Sequence, residues 1–320
     1  MIRFNLLLSL FLCFFIKVSA QRQNTYFIKN NGQYVTQRDS ADYIRIVQEP
    51  EQGSELYPVR EYYMDGTKKT IGMSSKIDPP SYEGYRRVYY PNGNKKEIAN
   101  FSKGLMTDTA YRYYPSGNLY TISVYKSSPF PGPPDVHINE VRDSTGKELA
   151  VEGNGDYIIY DQDFGKIIER GAIKNGVPDG VWTGDKTKTS SQYTETYTNG
   201  KLISGESTDD QDVTYKYTSN MTMPKFKGGM DRFYSYLRGH VNYPENCRRA
   251  GITGVAIVKF TVEKDGTLTD VKVVNYVNDD LAKEAVRVMK RSPLWEPGLY
   301  RGKPARVAFN VPISFNISSH

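Results

Sequence analysis

Hydrophobic positions change period several times along this chain, and the cleanest pattern lies at its end. Val307, Phe309, Val311, Ile313, Phe315 and Ile317 alternate with Arg306, Ala308, Asn310, Pro312, Ser314 and Asn316, which predicts a half-buried strand. Pro312 has no N–H to give to a ladder, so this strand belongs at a sheet edge. Upstream, Ala256, Val258, Phe260 and Val262 share one face, then a turn through Lys264-Asp265-Gly266 leads to Val271 and Val273, predicting a β-hairpin over 254–274. Helical spacing appears between these pieces. Met230, Phe233, Tyr234 and Leu237 make one apolar stripe, and Leu281, Ala285 and Val288 another, the latter opened by Asn278-Asp279-Asp280 and closed by Lys290-Arg291 ahead of Pro293. A short helix carrying Cys247 is predicted from Pro244, at its first position, to a left-handed cap at Gly251. The prediction is an α+β domain over 224–320, a small antiparallel sheet covered on its apolar face by helices and open at one edge.

Before it the pattern is neither helical nor strictly alternating. A degenerate repeat of an aromatic pair, a glycine turn and a mixed strand recurs at Tyr62-Tyr63-Met64-Asp65-Gly66, Tyr89-Tyr90-Pro91-Asn92-Gly93 and Tyr113-Tyr114-Pro115-Ser116-Gly117, with weaker copies ending at Gly32, Gly165 and Gly200. Asn-Gly and Asp-Gly between aromatic or β-branched runs are hairpin turns, because glycine accepts the positive φ they need. Each copy is one hairpin, too small to stand alone, so the copies must stack into an all-β array. Alternation along a strand sends one ring of each tyrosine pair inward. Ser127-Ser128-Pro129-Phe130-Pro131-Gly132-Pro133-Pro134 cannot be strand or helix and divides the array into 21–128 and 129–203. A polar stretch from Ser204 begins a connection over 204–223.

The first 20 residues read as a signal peptide: Arg3, an apolar run over 4–16, and Val18-Ser19-Ala20 before Gln21. The run is short for a bilayer span, and Cys13 lacks the small residue before it that lipidation requires. The alternative is a retained inner-membrane anchor, the one case in which this chain contacts a membrane. Cleavage leaves Cys247 as the sole cysteine and rules out an internal disulfide. Charge is uneven: residues 221–320 carry 16 Lys and Arg against 9 Asp and Glu, while residues 21–220 carry 24 against 27. Outside the cytoplasm, a basic domain meets acidic protein, anionic lipid or cell-wall polymer rather than nucleic acid.

The series Pro224-Lys225-Phe226-Lys227-Gly228-Gly229-Met230, Tyr243-Pro244, Gly251-Ile252-Thr253-Gly254, Asp265-Gly266, Trp295-Glu296-Pro297-Gly298 and the final strand resembles the TonB C-terminal domain family. The array, through Gly176-Val177-Pro178-Asp179-Gly180-Val181-Trp182 and Tyr197-Thr198-Asn199-Gly200-Lys201-Leu202, is similar to MORN and YwqK-like repeats. The first resemblance implies an energy-transducer docking module that pairs outer-membrane receptor segments with its last strand and touches them near its Tyr-Pro motif. Those positions here are Asn242, Tyr243, Pro244, Arg306, Ala308, Asn310, Ser314 and Asn316. The chain departs from a full transducer in lacking the histidine-bearing anchor and the Pro-rich spacer.

The expectation is a periplasmic interaction protein whose partners are outer-membrane TonB-dependent receptors or other envelope proteins. The alternative is an envelope scaffold that binds cell-wall glycan (peptidoglycan) or protein through the tyrosine-rich repeats. No cofactor or metal is called for and no enzyme is expected. Only His137, His240 and His320 exist, without metal-ligand spacing, and neither a phosphate loop nor a nucleophile elbow occurs. Asp209-Asp210 and Asp279-Asp280 read as polar connection and helix start rather than catalytic pairs.

Overall fold

The computed structural model describes residues 22–126, 135–186, 191–275 and 277–317. The expected signal peptide, Cys13, the Pro-rich interruption at 127–134 and His320 lie outside the described residues. The chain divides into two compact units, residues 1–148 and 149–320.

In the first unit Gln23–Ile28 pairs antiparallel with Tyr43–Gln48, and from there each strand pairs with the next in sequence: Tyr57–Tyr63, Lys68–Ser74, Tyr82–Tyr89, Lys95–Ser102, Leu105–Tyr113, Leu119–Lys126 and Asp135–Arg142. The repeat turns share one geometry. Tyr63 N–H donates to Thr67 O, Tyr90 N–H to Asn94 O and Tyr114 N–H to Asn118 O, each closing a three-residue loop whose last residue, Gly66, Gly93 or Gly117, has positive φ. The second tyrosine of each pair ties one repeat to the next: Tyr63 Oη donates to Tyr89 O (2.9 Å), Tyr90 Oη to Tyr113 O (2.7 Å) and Tyr114 Oη to Arg142 O (2.9 Å). Tyr90 and Tyr114 are buried, so the inward ring brings its hydroxyl to a carbonyl that would otherwise go unpaired.

The second unit continues the same construction through Asn154–Tyr160, Ile167–Lys174, Val177–Gly184, Gln192–Thr198, Lys201–Thr208 and Thr214–Tyr217. The residues read as a connection at 204–223 therefore include an antiparallel pair, Gly205↔Tyr217 to Thr208↔Thr214, because serine and threonine satisfy the alternation of a strand as well as a loop. Here aromatic rings lie across glycines of the preceding strand. A Cβ on Gly171, Gly184 or Gly205 would come within 2.3, 1.9 or 2.2 Å of Trp182, Tyr193 or Tyr217.

The remainder of the second unit is the α+β domain. Gly254–Val262 is the centre of a three-stranded antiparallel sheet, flanked by Leu268–Val273 and Val307–Phe315. Helices α1 (Gly229–His240), α2 (Glu245–Arg249) and α3 (Asp279–Lys290) accompany it. Asn278 caps α3 by accepting the Asp280 and Leu281 amides. The core gathers Phe233, Cys247, Ala256, Val258, Phe260, Leu281, Val288, Val311 and Phe315 from the three helices and the strands Gly254–Val262 and Val307–Phe315, together with Phe226 and Trp295, and Leu268, Val271 and Val273 are partly buried against it. Two expectations shift. Of the α1 stripe only Phe233 and Leu237 are buried, while Met230 and Tyr234 are exposed, because the helix turns the Phe233–Tyr236–Leu237 side to the core. Pro244 is the cap of α2, not its first residue, since its ψ of 127° is extended.

Candidate functional site

The last strand has the two faces its alternation requires as far as Phe315, while Ile317, expected on the apolar face, lies beyond the strand and is exposed. Val307, Val311, Ile313 and Phe315 are buried, and Arg306, Ala308, Asn310, Pro312, Ser314 and Asn316 are exposed. Nine registered pairs, from Gly254↔Phe315 to Val262↔Val307, fix one long side to the central strand, with Pro312 opposite Ile257. Its other long side pairs with no strand among the described residues. Such an edge presents a row of backbone donors and acceptors that another extended chain can complete.

At the C-terminal end of this edge lies a groove of about 370 Å³ lined by Tyr234, Leu237, Arg238, Val241 and Tyr243 on one side and by Pro312 to Asn316 on the other. Tyr243 stands edge-on to Phe315, with centroids 5.8 Å apart, and its hydroxyl donates to Ile252 O at 2.6 Å. Burial pushes that hydroxyl's pKa up, so it stays a donor. The loop carrying Tyr243 is clamped to α3. The Asn242 amide donates to Glu284 Oε1 at 2.6 Å, and Arg287 bonds both Glu284 oxygens and also His240 O at 2.7 Å. Burial pushes the Glu284 pKa up, but the hydrogen bonds from Arg287 and the Asn242 amide outweigh it and leave the carboxyl below its ordinary range. The clamp thus persists at neutral pH.

Not all eight expected residues meet here. Tyr243, Ser314 and Asn316 line the groove. Asn242 and Pro244 line a shallower hollow of about 550 Å³ on the other side of the same loop, with Asp280, Lys283 and Arg287. Ala308 and Asn310 lie along the edge outside both hollows. Arg306 sits at the strand's far end, roughly 27 Å from Ser314 by strand rise, and is engaged by Glu263 at 2.8 Å and Asp270 at 2.6 Å. It therefore has carboxylate partners already. Sequence reasoning missed Tyr234, Arg238, Glu284 and Arg287. The i, i+3 spacing of Glu284 and Arg287 announces a helical ion pair, but nothing in the sequence says that this carboxylate also takes a main-chain amide from forty residues upstream.

Other chemistry is sparse. Among the described residues no group of three or more His, Cys, Asp or Glu could hold a metal ion. Cys247 is fully buried, its sulfur 3.2 Å from Asn278 Oδ1. Among the described residues no helix is long and apolar enough to cross a membrane.

Comparison with known proteins bears on this domain. Residues 239–317 match the family model described as Gram-negative bacterial TonB protein C-terminal. Two solution structures of the Helicobacter pylori TonB C-terminal domain are similar: one spanning its residues 194–285 (26% identity, 28% of this chain and 96% of that one) and one spanning 179–285 (25% identity, 28% and 82%), each with a TM-score of 0.23. No curated protein matches.

Proposed function

We propose that this is a periplasmic interaction protein whose C-terminal domain takes an extended segment of an outer-membrane receptor, or of another envelope protein, as an added strand along Val307–Phe315. The observation that carries this reading is the open edge ending in the Tyr243 groove. The edge supplies backbone hydrogen bonds that any extended segment can use, and the groove supplies selection, accepting the side chains of an incoming strand that point toward Tyr234, Leu237 and Tyr243. The family match over 239–317 supports the same reading. The N-terminal leader is removed on export, the activity is binding rather than catalysis, and any part in energised transport depends on a motor supplied by other proteins.

Hydrogen exchange on the full chain tests this, with synthetic N-terminal segments of outer-membrane receptors as the probe. Binding slows the edge amides of Val307–Phe315 and shifts the Tyr243 loop. An edge that exchanges at the same rate with every segment defeats the proposal.

One observation favours a second role for the array, contact with cell-wall glycan. Across its half-buried face, Ile46, Arg60, Ile71, Arg87, Ile98, Tyr111 and Ile122 lie in register on seven successive strands. Strand spacing repeats the aliphatic position about every 10 Å, and Arg60 and Arg87 have no carboxylate partner among the described residues. A linear acidic polymer crossing the strands meets an apolar contact in each repeat and a cation in two of them, with Tyr111 at the third such position. Sedimentation with purified peptidoglycan, comparing the full chain with Arg60→Ala/Arg87→Ala, checks this: retention unaffected by the substitutions removes the row from the argument.

A further inference from the structure

Within the second unit, the short hairpin of Gly298–Tyr300 and Lys303–Ala305 ends in a two-residue turn, Arg301-Gly302, with φ of 50° and 76°. Tips of this kind normally stand in solvent, yet Arg301 is 8% exposed. Its Nε lies 2.9 Å from Glu195 Oε1, its Nη2 lies 3.7 Å from Glu169, and its guanidinium lies 3.3 Å from the centroid of the Tyr193 ring. The backbone is seated as well: Arg301 N–H donates to Asn220 O at 2.8 Å, and Arg301 O accepts from Ser207 Oγ at 2.8 Å. Gly302 fits because a Cβ there would come within 2.9 Å of Tyr215. All these partners except Asn220 belong to strands of the array or, in the case of Tyr215, to its last strand.

Glu195 is itself 2% exposed and fully engaged, accepting from Tyr217 Oη at 2.9 Å and from Tyr197 Oη at 2.8 Å besides Arg301. A buried carboxylate needs a cation. Elsewhere the array meets that need from its own strands: Glu61 holds Arg45 (2.8 Å) and Lys69 (3.4 Å), with Lys69 over the Tyr43 ring, and Glu97 holds Arg86 (2.7 Å) and Arg112 (3.2 Å). At Glu195 the same arrangement of carboxylate, aromatic ring and cation recurs, but the cation comes from the α+β domain more than a hundred residues later.

We propose that Glu195, Tyr193, Tyr197 and Tyr217 form a guanidinium-binding socket on the array, occupied by Arg301 of the chain's own C-terminal domain, and that this contact fixes the domain's orientation on the last repeats. The hairpin runs from Ala305 directly into the edge strand that begins at Val307, so the strand available to a partner is anchored through Arg301 and not carried on a flexible tether. This holds whatever docks on that edge, because the socket residues lie outside the groove.

The two tryptophans allow a test in the full chain, since Trp182 is buried in the array and Trp295 in the α+β core. In Trp182→Phe and Trp295→Phe backgrounds, denaturant unfolding transitions are expected to coincide. Adding Arg301→Ala separates them and speeds exchange of the Arg301 amide at least about tenfold, the loss of one charge-assisted hydrogen bond. Methylguanidinium restores both readouts and methylammonium does not. Glu195→Gln, which keeps the volume, produces the same separation and decides the matter should Arg301→Ala not fold. Transitions that stay coincident in Glu195→Gln, or rescue by methylammonium equal to that by methylguanidinium, overturn the proposal.

Discussion

The array and the α+β domain bury different things. The array's interior holds Glu61, Thr70, Ser74, Thr121, Ser123, Glu195 and Ser207 among its aliphatic and aromatic residues, and every array strand described pairs with at least one sequence neighbour or near neighbour. The α+β domain buries an aromatic and aliphatic cluster drawn from Phe226 to Phe315, and its central strand Gly254–Val262 pairs with Val307–Phe315 some fifty residues away. The first is a sum of local solutions and the second one cooperative core. Damage should therefore spread in the domain and stay local in the array.

The largest effect belongs to the domain. Phe260 is fully buried against Trp295 and Phe309, with centroids at 5.1 and 6.0 Å. Phe260→Ala should cost about 3–5 kcal/mol and abolish the tryptophan transition, that of Trp182 going with that of Trp295 through Arg301, while leaving the tyrosine signal of the first unit near its wild-type midpoint. A loss of both signals together would break the distinction between cooperative core and modular array.

The array's next largest vulnerability is charge. Burial raises the Glu61 pKa, but Lys69, the Thr70 hydroxyl and Arg45 outweigh it and hold the carboxyl below its ordinary value of 4.5. Its folded pKa being depressed, the stability it contributes is present above the unfolded value and lost as pH falls through the folded one. Glu61→Gln should cost about 3 kcal/mol at neutral pH, leaving Lys69 without its carboxylate and Arg45 with Asp78 alone. It should also remove part of the acid destabilisation below pH 4.5, as followed by hydrogen exchange of the Thr70 and Glu61 amides. An acid limb identical in variant and wild type assigns that destabilisation elsewhere.

What could be read from the chain follows the same division. Alternation in 306–317 and 256–262 located the domain's strands and their buried faces, because a period of two has one structural solution when one face is apolar. The edge position followed from Pro312 alone. The repeat turns were legible because Asp-Gly and Asn-Gly have few other uses. Glycines inside array strands were opaque, since Gly171 and Gly184 are needed by rings one strand away, a relation that no short sequence window contains. Of the candidate site, Tyr243, Ser314 and Asn316 converge while Arg306 does not, because strand length separates residues that share a face. Arg301 gave no signal in sequence: an exposed-looking arginine before a glycine finds its partner a hundred residues upstream.

Those glycines supply the next test. Gly171→Ala places a Cβ about where the Trp182 ring lies, 2.3 Å away, at a residue with no unusual φ. The cost, about 2 kcal/mol, is therefore overpacking and not backbone strain. It should appear as faster exchange around Trp182 Nε1, which donates to Ala172 O at 2.8 Å, with the amides of the first unit unmoved. Pairing it with Trp182→Phe recovers part of the loss if ring bulk is the cause, and none if the backbone is.

The smallest effect probes the stitching between repeats. Tyr90→Phe removes one hydroxyl from the Tyr113 carbonyl and leaves the buried ring in place, so the expected loss is about 1 kcal/mol. Its location matters more than its size. If the array is a chain of nearest-neighbour contacts, exchange quickens at the Tyr89–Asn94 and Tyr113–Asn118 turns, while the corresponding bonds of Tyr63 to Tyr89 O and of Tyr114 to Arg142 O hold their neighbours at wild-type rates. Even loosening across all three turns would mean that the tyrosine bonds act as one cooperative ladder, and the contrast with the α+β domain would then be one of chemistry, not of cooperativity.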